Sequence, residues 1–247
     1  MLNREPDVVL TDYALVVECL LFAFWIYRSR NSNVLRFWFG LLFGSIGAAA
    51  LVGGTVHGFL TDPQSAANRL CWLGTMLLLG VTAFSEYGIA ARLLLTRRLG
   101  NVVIFGAALI FVVYVGIVVR NAEFRIAVLN YLSGLAVLLV AFVCVYVRNK
   151  NRGALAGVAG LLLTIGASAV QQARISLHPR YLNYNAFYHL LEGIALLLIY
   201  RAARSLVNVP LRRNVFAAGC EVVTNGSDHS SDEPAEGGRN HVSKANV

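Results

Sequence analysis

Residues 185–200 place an asparagine, a histidine and a glutamate inside a long apolar run, NAFYHLLEGIALLLIY. Asn185, His189 and Glu192 are spaced i, i+4 and i+7, so on a helix they share one face. An imidazole beside a carboxylate can pass a proton, bind a metal ion or bind a polar ligand. Ionisable groups inside a bilayer cost roughly 2.5–3.5 kcal/mol each on insertion scales, which favours a functional role for this face.

Polar side chains recur at a similar depth in four other apolar runs. Asp12 lies near the start of the first run, His57 at the end of the second, Asn130 near the start of the fifth, and Gln171 and Gln172 near the end of the sixth. In helices that alternate in direction, these positions meet at one end of a bundle. We therefore predict an outward-facing polar cavity, with these residues in its wall: Asp12, Asn130, Gln172, Asn185 and Glu192, flanked by His57 and His189.

Two interpretations of these polar residues remain open on the sequence. In one, the cavity binds a lipid or a small polar ligand. In the other, the polar groups form a buried hydrogen-bonded clasp that only locks helices together, with His189 bonded to Glu192 or to Asn130. Two further acids, Glu18 and Glu86, lie deeper in their runs, and no role is predicted for Glu86.

The elements that must position these residues are membrane helices. Of the 247 residues, 57% are hydrophobic and 14% are charged, whereas a soluble domain is about 45–50% apolar and about 25% charged. Because backbone groups in lipid must be paired within a helix, the runs predict an all-α bundle of seven transmembrane helices over residues 1–206. The predicted spans are 8–28, 37–60, 70–95, 101–120, 126–147, 154–175 and 184–206. The polar residues 207–247 are predicted to be a disordered cytoplasmic tail.

The basic residues predict the orientation of the bundle. With the N-terminus outside, cytoplasmic segments carry 13 Lys and Arg residues against 6 in outside segments. The positive-inside rule therefore places the N-terminus outside and the C-terminus inside, in a multi-pass protein of the plasma (cell) membrane. Since the net charge of +8 comes from short clusters between apolar runs, we expect the lipid bilayer and not nucleic acid as the partner.

Three stretches together resemble a known superfamily. EPDVVLTD, residues 5–12, is similar to the segment that leads into the first helix of alkaline ceramidases. GGTVHGF, residues 53–59, resembles the Ser-x-x-x-His segment of the CREST superfamily of seven-helix membrane hydrolases, which also includes adiponectin-receptor-like proteins. The last run resembles their final helix, which carries His-x-x-x-His. Its HLLE segment is also similar to an uncharacterised group of bacterial seven-helix proteins.

The resemblance implies a zinc-dependent lipid amide hydrolase with His57 and His189 as metal ligands. The chain departs from the pattern at three points. Asn185 stands in place of the first histidine of the pair, Gly53 stands in place of the serine, and no aspartate opens the third run, where Asp62 is the nearest. Catalytic zinc usually has three protein ligands and a water. Three hypotheses follow: a ligand-binding membrane protein, a zinc hydrolase, and a proton-coupled transporter. The last is weakened by the lack of an internal repeat.

Overall fold

The chain folds into seven helices. The computed structural model describes residues 5–29, 33–178 and 182–208, and the predicted tail from residue 209 onward lies outside these ranges. The predicted all-α fold with seven helices is confirmed for the described residues. The helices are α1 (Pro6–Tyr27), α2 (Val34–Phe59), α3 (Ala66–Leu94), α4 (Arg97–Arg120), α5 (Phe124–Asn149), α6 (Arg152–Gln172) and α7 (Tyr184–Val207).

Six of these helices, α1 to α6, are long and apolar enough to cross a membrane. The chain is therefore an integral membrane protein whose helices contact the bilayer. Helix α7 has 24 residues, against the roughly 20 that span the hydrocarbon. It differs from the others in composition, because polar residues occupy its first half and Arg201 and Arg204 its last turns.

Several helices begin earlier than the apolar runs predicted, because polar caps extend them. The side chains of Asn33, Ser65 and Thr96 accept hydrogen bonds from backbone N–H groups in the first turns of α2, α3 and α4. These caps satisfy donors that have no partner within the helix. The first turns are therefore helical although they lie outside the apolar run.

Six helices form a closed ring, and one lies outside it. Neighbours in the ring are α1 and α2, α2 and α3, α3 and α5, α5 and α6, α6 and α7, and α7 and α1. Helix α4 packs mainly on α3 and makes only slight contact with α5. Its outward face carries exposed apolar side chains such as Val102, Phe105 and Val112, as expected of a face turned to lipid. The polar residues of the other six helices can therefore meet inside the ring.

The helices alternate in direction, so the bundle has two distinct ends. At the Glu5 end, α1, α3, α5 and α7 begin and α2, α4 and α6 finish. At the opposite Arg28 end, α1 and α7 finish together, and the hydroxyl of Ser29 donates to Oδ1 of Asn208 at 2.7 Å. At the Glu5 end the backbone N–H of Asn183 donates to Oδ2 of Asp7 at 3.0 Å. The starts of α1 and α7 are thereby joined.

Helices α3 and α5 approach each other closely at Gly134. A Cβ there would lie 3.0 Å from the backbone oxygen of Ala83 and 3.1 Å from its Cα, and it would overlap Oε2 of Glu86. Only glycine lets the two backbones approach this closely and leaves room for the Glu86 carboxyl group.

We expect Gly134→Ala to reduce the free energy of unfolding by about 1–3 kcal/mol, since the backbone of α3 cannot yield as a flexible side chain would. Thermal unfolding of the purified protein in detergent, followed by circular dichroism, measures the effect. Gly116→Ala is the matched control, because a Cβ at Gly116 meets nothing within 4 Å. Equal stability of the two variants would contradict the tight contact at Gly134.

Candidate polar site at the Glu5 end

The first polar pair lies near the surface at the Glu5 end of the bundle and joins α1 to α2. Nδ1 of His57 is 3.1 Å from Oε2 of Glu5, and the two side chains are 29% and 35% exposed. Glu5 caps the start of α1 and His57 lies in the last turn of α2. Both groups are accessible to solvent or to lipid headgroups.

The second pair lies one helical turn or more deeper and joins α1 to α7. Nε2 of His189 is 3.4 Å from Oδ1 of Asp12, with the side chains 13% and 5% exposed. Asp12 fits against α2 at Gly54, where a Cβ would lie 2.8 Å from the Cβ of Asp12. The absence of a side chain at Gly54 therefore lets Asp12 reach the interior.

Thr11 contacts the second ring nitrogen of His189, Nδ1. Its hydroxyl donates to the backbone oxygens of Asp7 and Val8, each at 3.0 Å, and lies 3.2 Å from Nδ1 of His189. The oxygen of Thr11 therefore lies beside one ring nitrogen of His189. The other, Nε2, faces Oδ1 of Asp12 at 3.4 Å, so the imidazole lies between a hydroxyl group and a carboxyl group.

Three further acids lie farther inside the ring, and we call them the deep acids: Glu18 of α1, Glu86 of α3 and Glu192 of α7. Glu86 and Glu192 are only 2% and 4% exposed. Glu18 lies over α7 at Gly193, where a Cβ would be 3.0 Å from its Oε2. Glu192 is within electrostatic range of both other acids. Glu192 is thus near both other deep acids, although the three come from three helices.

Several oxygen atoms of the site are buried without a hydrogen-bond partner among the described residues. They are Oδ2 of Asp12, Oε2 of Glu86, Oε2 of Glu192 and Oγ1 of Thr164. Thr164 and Tyr131 lie within hydrogen-bonding reach of the Glu192 carboxyl group, although no hydrogen bond of standard length and angle joins Oε2 of Glu192 to either of them. Buried polar groups are normally paired, and an unpaired one is strongly unfavourable in an apolar medium. The site therefore has hydrogen-bonding capacity that its own side chains do not use.

Comparison with known proteins gives a family and no function. The chain matches the model of a family of unknown function, DUF6962, over residues 8–208. The chain belongs to this family. No curated protein and no solved structure matches it. Homology to the ceramidases or to other CREST proteins is not shown, so the zinc chemistry that the resemblance implies stays a prediction.

The structure brings some predicted site residues together and leaves one outside. Asp12 and His189 are in contact, and Nε2 of Gln171 donates to Oδ1 of Asn185 at 3.1 Å. Gln172 is exposed, since it lies one residue, about 100° of helix rotation, beyond Gln171. Asn130 is partly buried.

The two candidate metal ligands, His57 and His189, lie at the same end of the bundle. They are close enough to interact electrostatically, but each is paired with a different carboxyl group. Both ring nitrogens of His189 face a partner, so a metal ion bound to this ring would replace Thr11 or Asp12. Within the described ranges, no three His, Cys, Asp or Glu side chains converge as a set of metal ligands.

Sequence reasoning missed Glu5 and Thr11 as partners of the two histidines. Both residues belong to the segment EPDVVLTD, in which only Asp12 is predicted from the sequence to line the cavity. Their spacing held a usable signal, because Glu5, Asp12 and Thr11 all fall within the first two turns of α1. The histidine partners could not be assigned from it, since the sequence does not give the neighbours of α1.

Proposed function

We propose that this chain is a seven-span membrane protein that binds a small polar ligand within its helical ring, reached from the Glu5 end. The ligand carries positive charge or several N–H or O–H donors. Helix α7 acts as the seventh span, and the Glu5 end faces the outside of the cell membrane. The basic residues at the Arg28 end support this orientation through the positive-inside rule.

The proposal is carried by one observation: carboxyl groups of α1, α3 and α7 each keep a buried oxygen unpaired within the described residues. A clasp evolved only for stability would pair these oxygens, because an unpaired acceptor weakens the bundle. A bound cation, or a ligand with several N–H or O–H donors, would give these carboxyl oxygens a partner. Intramembrane acids that face a bundle interior commonly mark ligand or ion pathways.

The polar groups also form a graded path from the surface to the interior. The Glu5–His57 pair is about a third exposed, the Asp12–His189 pair is largely buried, and Glu86 and Glu192 are almost fully buried. A cation entering at the Glu5 end therefore meets a carboxyl group at each stage. A proton would follow the same groups, so coupling of ligand binding to protonation is compatible with this arrangement.

Thermal unfolding of the full-length chain in detergent tests the proposal. Sodium, ammonium and methylammonium chlorides are the probes, each compared with N-methylglucamine chloride at equal ionic strength. At about 100 times its Kd, a bound cation should stabilise the native protein by about 2.7 kcal/mol. This gain should disappear in Glu192→Gln and persist in Glu123→Gln, whose side chain is exposed at the same end. An equal response of both variants, or no response to any probe, would refute the proposal.

A zinc-dependent lipid amide hydrolase is the second candidate, favoured by the two histidines that share the Glu5 end. When bound, zinc would supply an activated water for attack on an amide. His57 and His189 would hold the ion, and Asp12 or Glu5 would orient the imidazoles as carboxylates do at zinc sites. Metal analysis decides: stoichiometric zinc that is lost in His57→Ala and His189→Ala supports it, and folded protein free of zinc excludes it.

A further inference from the structure

A groove of about 780 Å³ lies between α1 and α7 at the Arg28 end, far from the polar site. Its apolar part is lined by Leu21, Phe22 and Tyr200, and the rim nearest the end of the bundle by Arg28 and Arg204. Leu21 and Arg28 are seven residues apart on α1, which is roughly 10 Å along the helix axis. The groove therefore changes from apolar to basic over a short distance.

The rim is basic, and none of the described residues that line the groove is acidic. The guanidinium of Arg28 lies 5.5 Å from the ring centroid of Phe24, which steadies its position. Two arginines at one rim favour an anion, because guanidinium groups bind phosphate well.

The rim is also held in place by contacts between α1, α2 and α7. Besides the bond from Ser29 to Asn208, Nη1 of Arg36 donates to the backbone oxygen of Ser29 at 3.2 Å. Nδ2 of Asn33 donates to the backbone oxygen of Leu206 at 3.5 Å. The ends of α1 and α7, which carry Arg28 and Arg204, are thus fixed relative to each other.

We propose that this groove binds an anionic phospholipid, with Arg28 and Arg204 on the headgroup phosphate and the acyl chains along its apolar part. Trp25, which is 55% exposed beside the rim, lies where tryptophan is favoured at a membrane interface. A lipid would contact both the apolar part of the groove and its two arginines, whereas a free phosphate ion would contact only the arginines. Basic pockets between membrane helices commonly receive acidic lipid headgroups.

Native mass spectrometry of the full-length chain tests this site with phosphatidylglycerol and phosphatidylcholine as probes. We expect phosphatidylglycerol to be retained preferentially, and we expect Arg28→Gln or Arg204→Gln to weaken its binding about fivefold each. Arg98→Gln is the matched control, because Arg98 is exposed at the same end but lies outside the groove. Arg28→Lys, which keeps the charge, should retain most of the binding and shows that the fold tolerates substitution here.

Three results would overturn the lipid site. Equal retention of the two lipids would show that the rim does not select charge. An equal loss of binding in Arg98→Gln would show a diffuse surface effect. Displacement of phosphatidylglycerol by an equal concentration of inorganic phosphate would assign the arginines to a free anion. The cation response proposed for the Glu5 end involves none of these residues, so either proposal can fail alone.

Discussion

Asp12→Ala is expected to lower the free energy of unfolding by about 1–3 kcal/mol, because it leaves a ring nitrogen of the largely buried His189 without its polar partner. Alanine keeps the Cβ that packs against Gly54, so the loss reports on the carboxyl group and not on a cavity between α1 and α2. Chemical or thermal unfolding of the detergent-solubilised protein, followed by circular dichroism, measures the change.

Glu123→Ala is the control for the removal of one carboxyl group at the same end of the bundle. Glu123 is exposed and makes no side-chain cap hydrogen bond, so its replacement should change stability by less than about 0.5 kcal/mol. A double variant, Asp12→Ala with His189→Leu, should lose less than the sum of the two single variants, since the residues interact. Strict additivity would mean that the Asp12–His189 contact does not contribute to stability.

Glu192→Leu is expected to act in the opposite direction and stabilise the bundle by about 1–3 kcal/mol. Glu192 is 4% exposed and its Oε2 is unpaired among the described residues, so its burial is unfavourable. Leucine has a similar volume and needs no hydrogen-bond partner. A buried acceptor left without a partner is unfavourable by about 1–3 kcal/mol, and an apolar side chain of similar size removes this loss. The same variant should lose the stabilisation by cations. Residues that serve a binding site often lower the stability of the protein, so a gain in stability with a loss of binding is the expected pattern.

Thr82→Val provides the contrast, because Thr82 is a buried polar residue whose partners are present. Its hydroxyl lies 2.8 Å from that of Ser45 and donates to the backbone oxygen of Leu78 at 3.1 Å. Loss of such a bond between membrane helices weakens a bundle by about 0.6–1.7 kcal/mol. If Glu192→Leu were destabilising like Thr82→Val, Glu192 would belong to a structural clasp, and the ligand site would lose its main support.

The Asp12→Ala and Glu192→Leu variants therefore distinguish the two interpretations left open by the sequence, a ligand-binding cavity and a structural clasp. The structure contains both a paired region, Asp12 with His189, and an unpaired region, Glu86 with Glu192. The paired region has the contacts of a clasp, and the unpaired region has the acceptors of a binding site. We expect stability to depend on the first and ligand binding on the second.

The sequence by itself determined the class of protein and the order of its elements. Apolar runs of about 20 residues have one stable form in lipid, the helix, because backbone groups there cannot pair with water. Alternation of the helices then places Asp12, His57 and His189 at one end. The observed helices begin within four residues of the predicted runs, and the differences arise from polar caps such as Asn33 and Ser65.

Only the tertiary structure decided which groups meet. His189 pairs with Asp12 and Thr11 and not with Asn130 or Glu192 as the clasp interpretation held, and helix α4 lies outside the ring. In a soluble protein the apolar stripe of a helix shows which side faces its neighbours. A membrane helix is apolar on its lipid side as well as on its packed side, so hydrophobicity does not identify the neighbours. Glycines such as Gly54 and Gly134 leave room for a carboxyl group of the neighbouring helix. The contacts between helices therefore depend on how their surfaces fit together, which only the packed structure shows.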